Sequence, residues 1–161
     1  MRAGFWTQVR GIIGKADVIL FILDARFPNI TRVTNLEQFA KKSGKKVILV
    51  VNKVDLLSKE TFKKVEHEYK NQSSILLSTK DRTHIDGLIR KIHEVSKKDR
   101  IKVAIIGYPN TGKSSLINVL SGGGKVRTSS ESGYTKGKQL ITGRSGMVLM
   151  DTPGVVPYEQ R

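Results

Sequence analysis

The 161-residue chain contains no cysteine, which excludes disulfides, thiol chemistry and zinc–thiolate ligation and leaves nothing that points to an oxidising compartment. Long hydrophobic runs are also missing. The longest, VILFIL at 18–23, is far short of the roughly 20 residues that span a bilayer, and the opening MRAGFWTQVRG has no unbroken apolar core. A soluble, cytoplasmic protein with no membrane partner is the expectation. Acidic residues are scarce: 14 Asp and Glu stand against 29 Lys and Arg, a net charge of +15. Such a surplus suits a polyanionic partner, because neutralising phosphates releases counterions. A lysine-rich solvated exterior serving solubility or heat tolerance explains the same surplus. No internal repeat is present. Hydrophobic residues at 38% with 27% charged residues argue for a globular chain of one domain.

What is present alternates between strand and helix patterns. Trp6, Val9, Ile12 and Ile13 make a helical face, and DVILFILDA (17–25) is a continuous apolar run of the kind buried on both sides of a parallel sheet. A helical pattern at Val33, Leu36, Phe39 and Ala40 stops at Gly44, and KKVILVVNK (45–53) reads as a second buried strand. Ser58 to Lys70 is charged, with Phe62, Val65 and Tyr69 on one face, and reads as a surface helix. SILLS (74–78) is a short strand. Thr83 with Asp86 predicts a capping box ahead of the stripe Ile85, Leu88, Ile89 and Ile92. After the linker-like SKKDR (96–100) come the strand IKVAIIG (101–107) and a short helix, KSSLINVL (113–120), ended by Gly122, Gly123 and Gly124. QLIT and MVLMD flank TGRSGM as a hairpin whose loop holds Gly143 and Gly146. The pattern is α/β, with a mostly parallel six-stranded sheet and one antiparallel edge strand.

Three motifs carry chemistry. GYPNTGKS (107–114) has the spacing G-x-x-x-x-G-K-S between a strand and a helix. Its glycines Gly107 and Gly112 let backbone N–H groups wrap phosphate oxygens, with the dipole of the following helix behind them. Lys113 would reach the β- and γ-phosphates, and the Ser114 hydroxyl would bind Mg²⁺. DTPG (151–154) follows a strand, so Asp151 sits where a carboxylate holds Mg²⁺ through water and Gly154 where its N–H meets the γ-phosphate. Alone, DTPG is only a plausible turn. NKVD (52–55) also follows a strand. Asp55 can accept from two donors on one edge of guanine, a pair that adenine lacks, so an unpaired carboxylate disfavours the wrong base. Asn52 would contact the base or stitch neighbouring loops, and the Lys53 stem would cover the ring. Taken alone, NKVD is matched by a helix N-cap at Asp55.

Together these residues resemble the translation-factor class of P-loop GTPases, with the motifs in rotated order: NKVD, then STK (78–80), GYPNTGKS, a switch threonine and DTPG. The chain is similar to circularly permuted GTPases of the YlqF/YawG type, a family associated with ribosome assembly, and LDAR at 23–26 matches that family's D-A-R. The resemblance implies a three-layer P-loop fold over 1–161, with a base-recognition half at 1–96, a join at 97–100 and a phosphate and magnesium half at 101–161. Rotation is physically tolerable because such sites are built from loops at the carboxyl ends of strands.

The resemblance further implies GTP and GDP as ligands with Mg²⁺. Base recognition falls to Asn52, Lys53, Asp55, Ser78, Thr79 and Lys80, and the phosphate half of the nucleotide site to Asn110, Thr111, Gly112, Lys113, Ser114 and Ser115. Lys113, Thr135 and Gly154 are the catalytic candidates; Ser114, Thr135 and Asp151 are the metal candidates. Thr135 matches the switch threonine, with Thr128 as a neighbour, and Asn110 matches the asparagine that helps coordinate K⁺ in related GTPases. Val155 stands where signalling GTPases carry a water-positioning glutamine, so slow intrinsic turnover is expected.

FWTQV replaces the histidine-containing stretch of some bacterial relatives, and His67, His84 and His93 read as surface or core-edge residues. Asp24 and Arg26 fit either the ligand-bearing edge or an internal ion pair. Lys125, Arg127, Lys136, Lys138 and Arg144 surround the switch region and would present a basic face to ribosomal RNA. The expected activity is GTP hydrolysis by a monomer that acts as a switch in assembly of the large ribosomal subunit through a ribosomal subunit or its RNA, without DNA specificity. A nucleotide-gated RNA-binding module with negligible hydrolysis is the second reading, and an ATP-using P-loop protein, disfavoured by NKVD, is the third.

Overall fold

The structure, a computed structural model, describes residues 3–122 and 139–152. Among these, helices α1 (Ala3–Lys15), α2 (Thr34–Lys42), α3 (Lys59–Tyr69), α4 (Ile85–Ser96) and α5 (Lys113–Leu120) alternate with strands. The strands are β1 (Val18–Asp24), β2 (Lys46–Asn52), β3 (Ser74–Leu76), β4 (Ile101–Gly107), β5 (Gln139–Thr142) and β6 (Met147–Asp151). They form one six-stranded sheet in the order β3-β2-β1-β4-β6-β5. Every neighbouring pair is parallel except β5 with β6, so the antiparallel edge strand expected from QLIT and MVLMD is present.

Burial follows directly from the apolar runs. All seven residues of β1 are buried, because β1 lies mid-sheet with helices on both faces. Ile19, Phe21 and Leu23 face a cluster with Val9, Ile12 and Ile13 of α1, Leu36 and Ala40 of α2, and Val65 and Tyr69 of α3. Val18, Leu20 and Ile22 face the opposite cluster, with Leu88 and Ile92 of α4 and Leu116 and Leu120 of α5. This is a helix–sheet–helix sandwich of three layers. Each buried Leu, Ile or Phe contributes about 1.5–3 kcal/mol relative to exposure, so the sheet centre is the strongest part of the molecule.

Local signals behave largely as read. Gly44 takes φ 78° just after α2, and the Ser58 hydroxyl caps α3 by accepting from the Thr61 N–H at 3.1 Å. The capping box at Thr83 does not form. Thr83 spends its backbone on an antiparallel bridge to Ser78, with Thr83 N donating to Ser78 O at 3.0 Å and Ser78 N to Thr83 O at 3.3 Å. Helix α4 therefore starts one residue later, behind a left-handed His84 at φ 63° with no side-chain cap. A tight loop over 78–83 takes precedence over the cap, and this loop carries STK.

Candidate nucleotide-binding site

Parallel pairing brings the polar ends of four strands to one edge. Asp24 pairs in register with Asn52 across β1 and β2, Gly107 lies opposite Ile22, and Asp151 lies opposite Ile105. The sequence pattern contains the reason: VILFILD and KVILVVN are both apolar runs closed by a polar residue, and Asp24 and Asn52 stay buried at the strand ends, where they must find partners within the protein.

The loop from β4 into α5 places Asn110 at φ 69° and Gly112 at φ 101°. Two left-handed residues two apart bend the backbone into the kind of concavity that presents N–H groups to an anion, and buried Thr111 braces it by donating its hydroxyl to Tyr108 O at 2.8 Å. Packing demands the two glycines. A Cβ on Gly107 would lie 2.4 Å from Ile22 Cγ2, and one on Gly112 would lie 2.2 Å from Asn52 Nδ2. Ser114 and Ser115 are exposed in the first turn of α5, and Lys113 turns its ammonium onto the Asp151 carboxylate and, at 2.5 Å, the Thr152 carbonyl. The two groups assigned to phosphate and magnesium are thus already adjacent.

Asn52 is 1% exposed and joins three loops. Its Nδ2 donates to Thr111 O at 2.9 Å and lies 3.5 Å from Thr79 Oγ1, while its Oδ1 accepts from Thr79 N at 3.1 Å. Of the two roles open in the sequence, stitching is the one observed. Lys53 adopts φ 75° and donates its ammonium to Asn110 O, a second tie between NKVD and the phosphate loop. Asp55 lies inside the single 3-10 turn Val54–Leu56 and makes no N-cap. Its Oδ1 accepts from Ser78 Oγ at 2.8 Å, and Ser78 Oγ in turn accepts from Asp81 N at 3.0 Å, so the exposed carboxylate is held in one orientation. Thr79 is half-buried and Lys80 exposed on the same loop.

Asp24, left open by the sequence, both pairs internally and touches the site. Arg26 grips it with Nε at 3.1 Å and Nη2 at 2.9 Å, its own N–H adds a third bond at 2.9 Å, and Lys53 Nζ lies 3.4 Å away. Burial pushes the Asp24 carboxyl pKa up, but the Arg26 hydrogen bonds and the charges of Lys53 and Arg26 outweigh it and hold the value below the ordinary one. The ion pair thus backs the lysine that reaches the phosphate loop. Thr135, Thr128, Gly154, Val155, Lys125, Arg127, Lys136 and Lys138 lie outside the described residues. Arg144 is described, half-buried beside Gly122. His67 and His84 are exposed and His93 half-buried on α4, as expected.

Residues 102–161 match the family described as 50S ribosome-binding GTPase. The chain is 43% identical over 152 residues to the uncharacterized GTP-binding protein MJ1464 of Methanocaldococcus jannaschii, covering 92% of this chain and 40% of that protein. It superposes on the GDP-bound structure of TM YlqF with a TM-score of 0.65 at 27% identity, covering 93% of this chain and 58% of that one. The fold of the chain is that of the P-loop GTPases. Nucleolar GTP-binding protein 2 of Yarrowia lipolytica is 34% identical over 165 residues, covering 97% of this chain and 32% of that relative. YjeQ of Thermotoga maritima shares the fold at a TM-score of 0.64 and 24% identity. The chain therefore spans about two fifths of MJ1464 and a third of the nucleolar relative. Among the described residues no helix is long and apolar enough to cross a membrane.

Proposed function

We propose that this chain is a Mg²⁺-dependent guanine-nucleotide switch that hydrolyses GTP to GDP and phosphate and acts in ribosome assembly. The observation that carries the reading is the Asn52 bridge, which ties the guanine-reading loop to the phosphate loop 59 residues away in the chain and makes one site of the two halves. Asp55, pre-oriented by Ser78, would read the base edge, with Thr79 and Lys80 beside it. The 108–112 backbone, Lys113, Ser114 and Ser115 would hold the phosphates. The residues fit a magnesium ion: Ser114 is exposed at the start of α5, and Asp151 stands against the phosphate-seeking Lys113. Ser114, Asp151 and Thr135 would hold the ion, which when bound neutralises charge on the β- and γ-phosphates. Asn110 would contribute to a K⁺ site, and Gly154 would bring an N–H to the γ-phosphate. On this reading 1–96 and 101–161 form one domain joined through 97–100, working as a cytoplasmic monomer.

Val155, where a water-positioning glutamine is usual, supports the second reading, a nucleotide-gated RNA-binding module with negligible hydrolysis. The deciding experiment is equilibrium binding of fluorescent GDP and GTP analogues with Mg²⁺, competed by ATP and repeated with Asp55→Asn. Guanine preference that falls at least tenfold in the variant, with xanthine nucleotide gained, is the expected outcome. Equal competition by ATP would refute the guanine site. Hydrolysis with and without ribosomal subunits then separates the two readings.

A further inference from the structure

The end of the sheet opposite the nucleotide site collects positive charge. Lys41, Lys42, Lys45 and Lys46 cross the turn from α2 into β2, and Lys97, Lys98, Arg100 and Lys102 cross the join from α4 into β4. β2 and β4 flank β1, so the two groups start strands only about 10 Å apart at ordinary strand spacing. Apart from half-buried Lys45, all eight are exposed. Against them stand Asp17, Glu94 and Asp99. Asp17 is already engaged, accepting from Lys98 Nζ at 2.7 Å and Lys102 N at 2.9 Å.

Cations at helix C-termini are expected from the macrodipole, which accounts for Lys41 and Lys42 on α2 and for Lys97 and Lys98 at the end of α4. Lys45 likewise serves a helix end, donating its ammonium to Gly14 O in the last turn of α1 at 3.0 Å, but the macrodipole does not account for Lys46, Arg100 and Lys102, which lie on the join and at strand starts. Lys46 and Lys102 are the exposed positions in two strands that are otherwise buried throughout. An anionic membrane would need apolar side chains to insert beside the charge. Among the described residues the exposed large apolar side chains lie elsewhere: Phe27, Ile30 and Leu56 follow the carboxyl ends of β1 and β2, and Leu140 is on β5. Neither basic segment holds an aromatic residue, so no platform exists for stacking unpaired bases.

We propose that this pole binds the phosphate backbone of double-helical RNA, independently of the bound nucleotide. Lysine-rich and non-aromatic, it matches recognition of an RNA duplex by its phosphates rather than by sequence. The setting, ribosomal RNA, rests on the proposed function; the surface itself does not. The test is fluorescence anisotropy of a labelled 20-base-pair RNA duplex titrated with the chain across a salt series. Three proteins are compared: native, the triple variant Lys41→Gln, Lys42→Gln, Lys46→Gln, and an equal-charge control on exposed α3, Lys59→Gln, Lys63→Gln, Lys64→Gln. The pole triple is expected to bind at least tenfold more weakly near 0.1 M salt, with a log–log salt slope shallower by about two to three; the control is expected to stay within twofold of native. Lys97→Gln with Arg100→Gln should act in the same direction. GDP affinity and unfolding midpoint, read on every variant, should be unchanged, so a failed guanine site and a failed RNA surface remain distinguishable. Equal losses in both triples would mean that only net charge matters and would overturn the proposal. So would tighter binding to the DNA duplex of the same sequence, binding to vesicles with 30% phosphatidylserine but not to RNA, or RNA affinity that follows the nucleotide and ignores the pole variants.

Discussion

Replacing Asn52 with alanine should uncouple the halves of the site, and the size of the effect follows from two contacts. In Asn52→Ala the Thr111 carbonyl loses a buried donor at 2.9 Å, and leaving a buried backbone acceptor unpaired costs about 1–3 kcal/mol. Thr79 N, bonded at 3.1 Å in a half-buried loop, can turn to water and adds about 1 kcal/mol, giving roughly 2–4 kcal/mol in all. Gly112→Ala attacks the same link from the other side. Its new Cβ would lie 2.2 Å from Asn52 Nδ2, so the carboxamide must withdraw and release Thr111. Gly112→Ala also forces alanine to φ 101°, a separate backbone strain of at least about 1–2 kcal/mol. In the Asn52→Ala background only that backbone strain remains. A double-mutant cycle should therefore show the pair costing less than the sum of the singles by about 1–3 kcal/mol. Urea unfolding of the four proteins measures the coupling, and fluorescent GDP binding measures the site, where Asn52→Ala should lose at least tenfold. Additivity within about 0.5 kcal/mol, or native affinity in Asn52→Ala, would show that the bridge does not hold the loops together.

Two further outcomes are expected. Asp24→Asn should lower stability at pH 7 by about 1–2 kcal/mol, discounted because its partner Arg26 is 43% exposed. The folded Asp24 pKa lies below its ordinary 3.8, so its contribution is complete above that value and lost as pH falls through the lower folded pKa. The difference between native and variant in urea midpoint should accordingly shrink as pH falls below about 4 and through the lower folded pKa; a constant difference would refute the charge argument. Gly146→Ala should cost at least about 2 kcal/mol, since it combines φ 81° with a Cβ 2.4 Å from Asp99 O, yet leave GDP affinity within twofold because the clash is at the far pole. Loss of nucleotide binding without loss of stability would contradict that placement.

The sequence was most legible where one physical cause dominates. Six strands, their helices and the antiparallel edge follow from apolar periodicity, and the phosphate loop from glycines whose Cβ atoms have no room. It was least legible where two local preferences compete for the same backbone. Thr83 and Asp86 satisfy the capping pattern, but the same stretch must close the loop that holds Ser78 against Asp55, and a bridge with two backbone hydrogen bonds is worth more than one side-chain cap. Asp24 was ambiguous for a different reason. A polar residue ending a buried strand signals the ligand edge, but its partners Arg26 and Lys53 come from the next turn and from the loop that follows β2, and only the register of β1 with β2 brings Lys53 to it.

The same register explains why rotated motif order costs the fold little. Each contributor to the edge is anchored by its own strand: Asp24 by β1, Asn52 by β2, the 107–114 loop by β4 and Asp151 by β6. Neighbouring strands fix their separation regardless of which is made first. What rotation adds is a covalent path from β3 to β4, three places along the sheet, and α4 supplies it by crossing the face occupied by Leu88, Ile92 and Ile105. The crossing ends in four residues, 97–100, pinned from both sides: Lys98 reaches Asp17 at 2.7 Å, and the Asp99 carbonyl sits where Gly146 has no side chain. A join with those contacts is part of the packed structure, with little freedom left to cost the fold. The strand ends therefore stay in register, and the Asn52 bridge joins loops 59 positions apart in the chain.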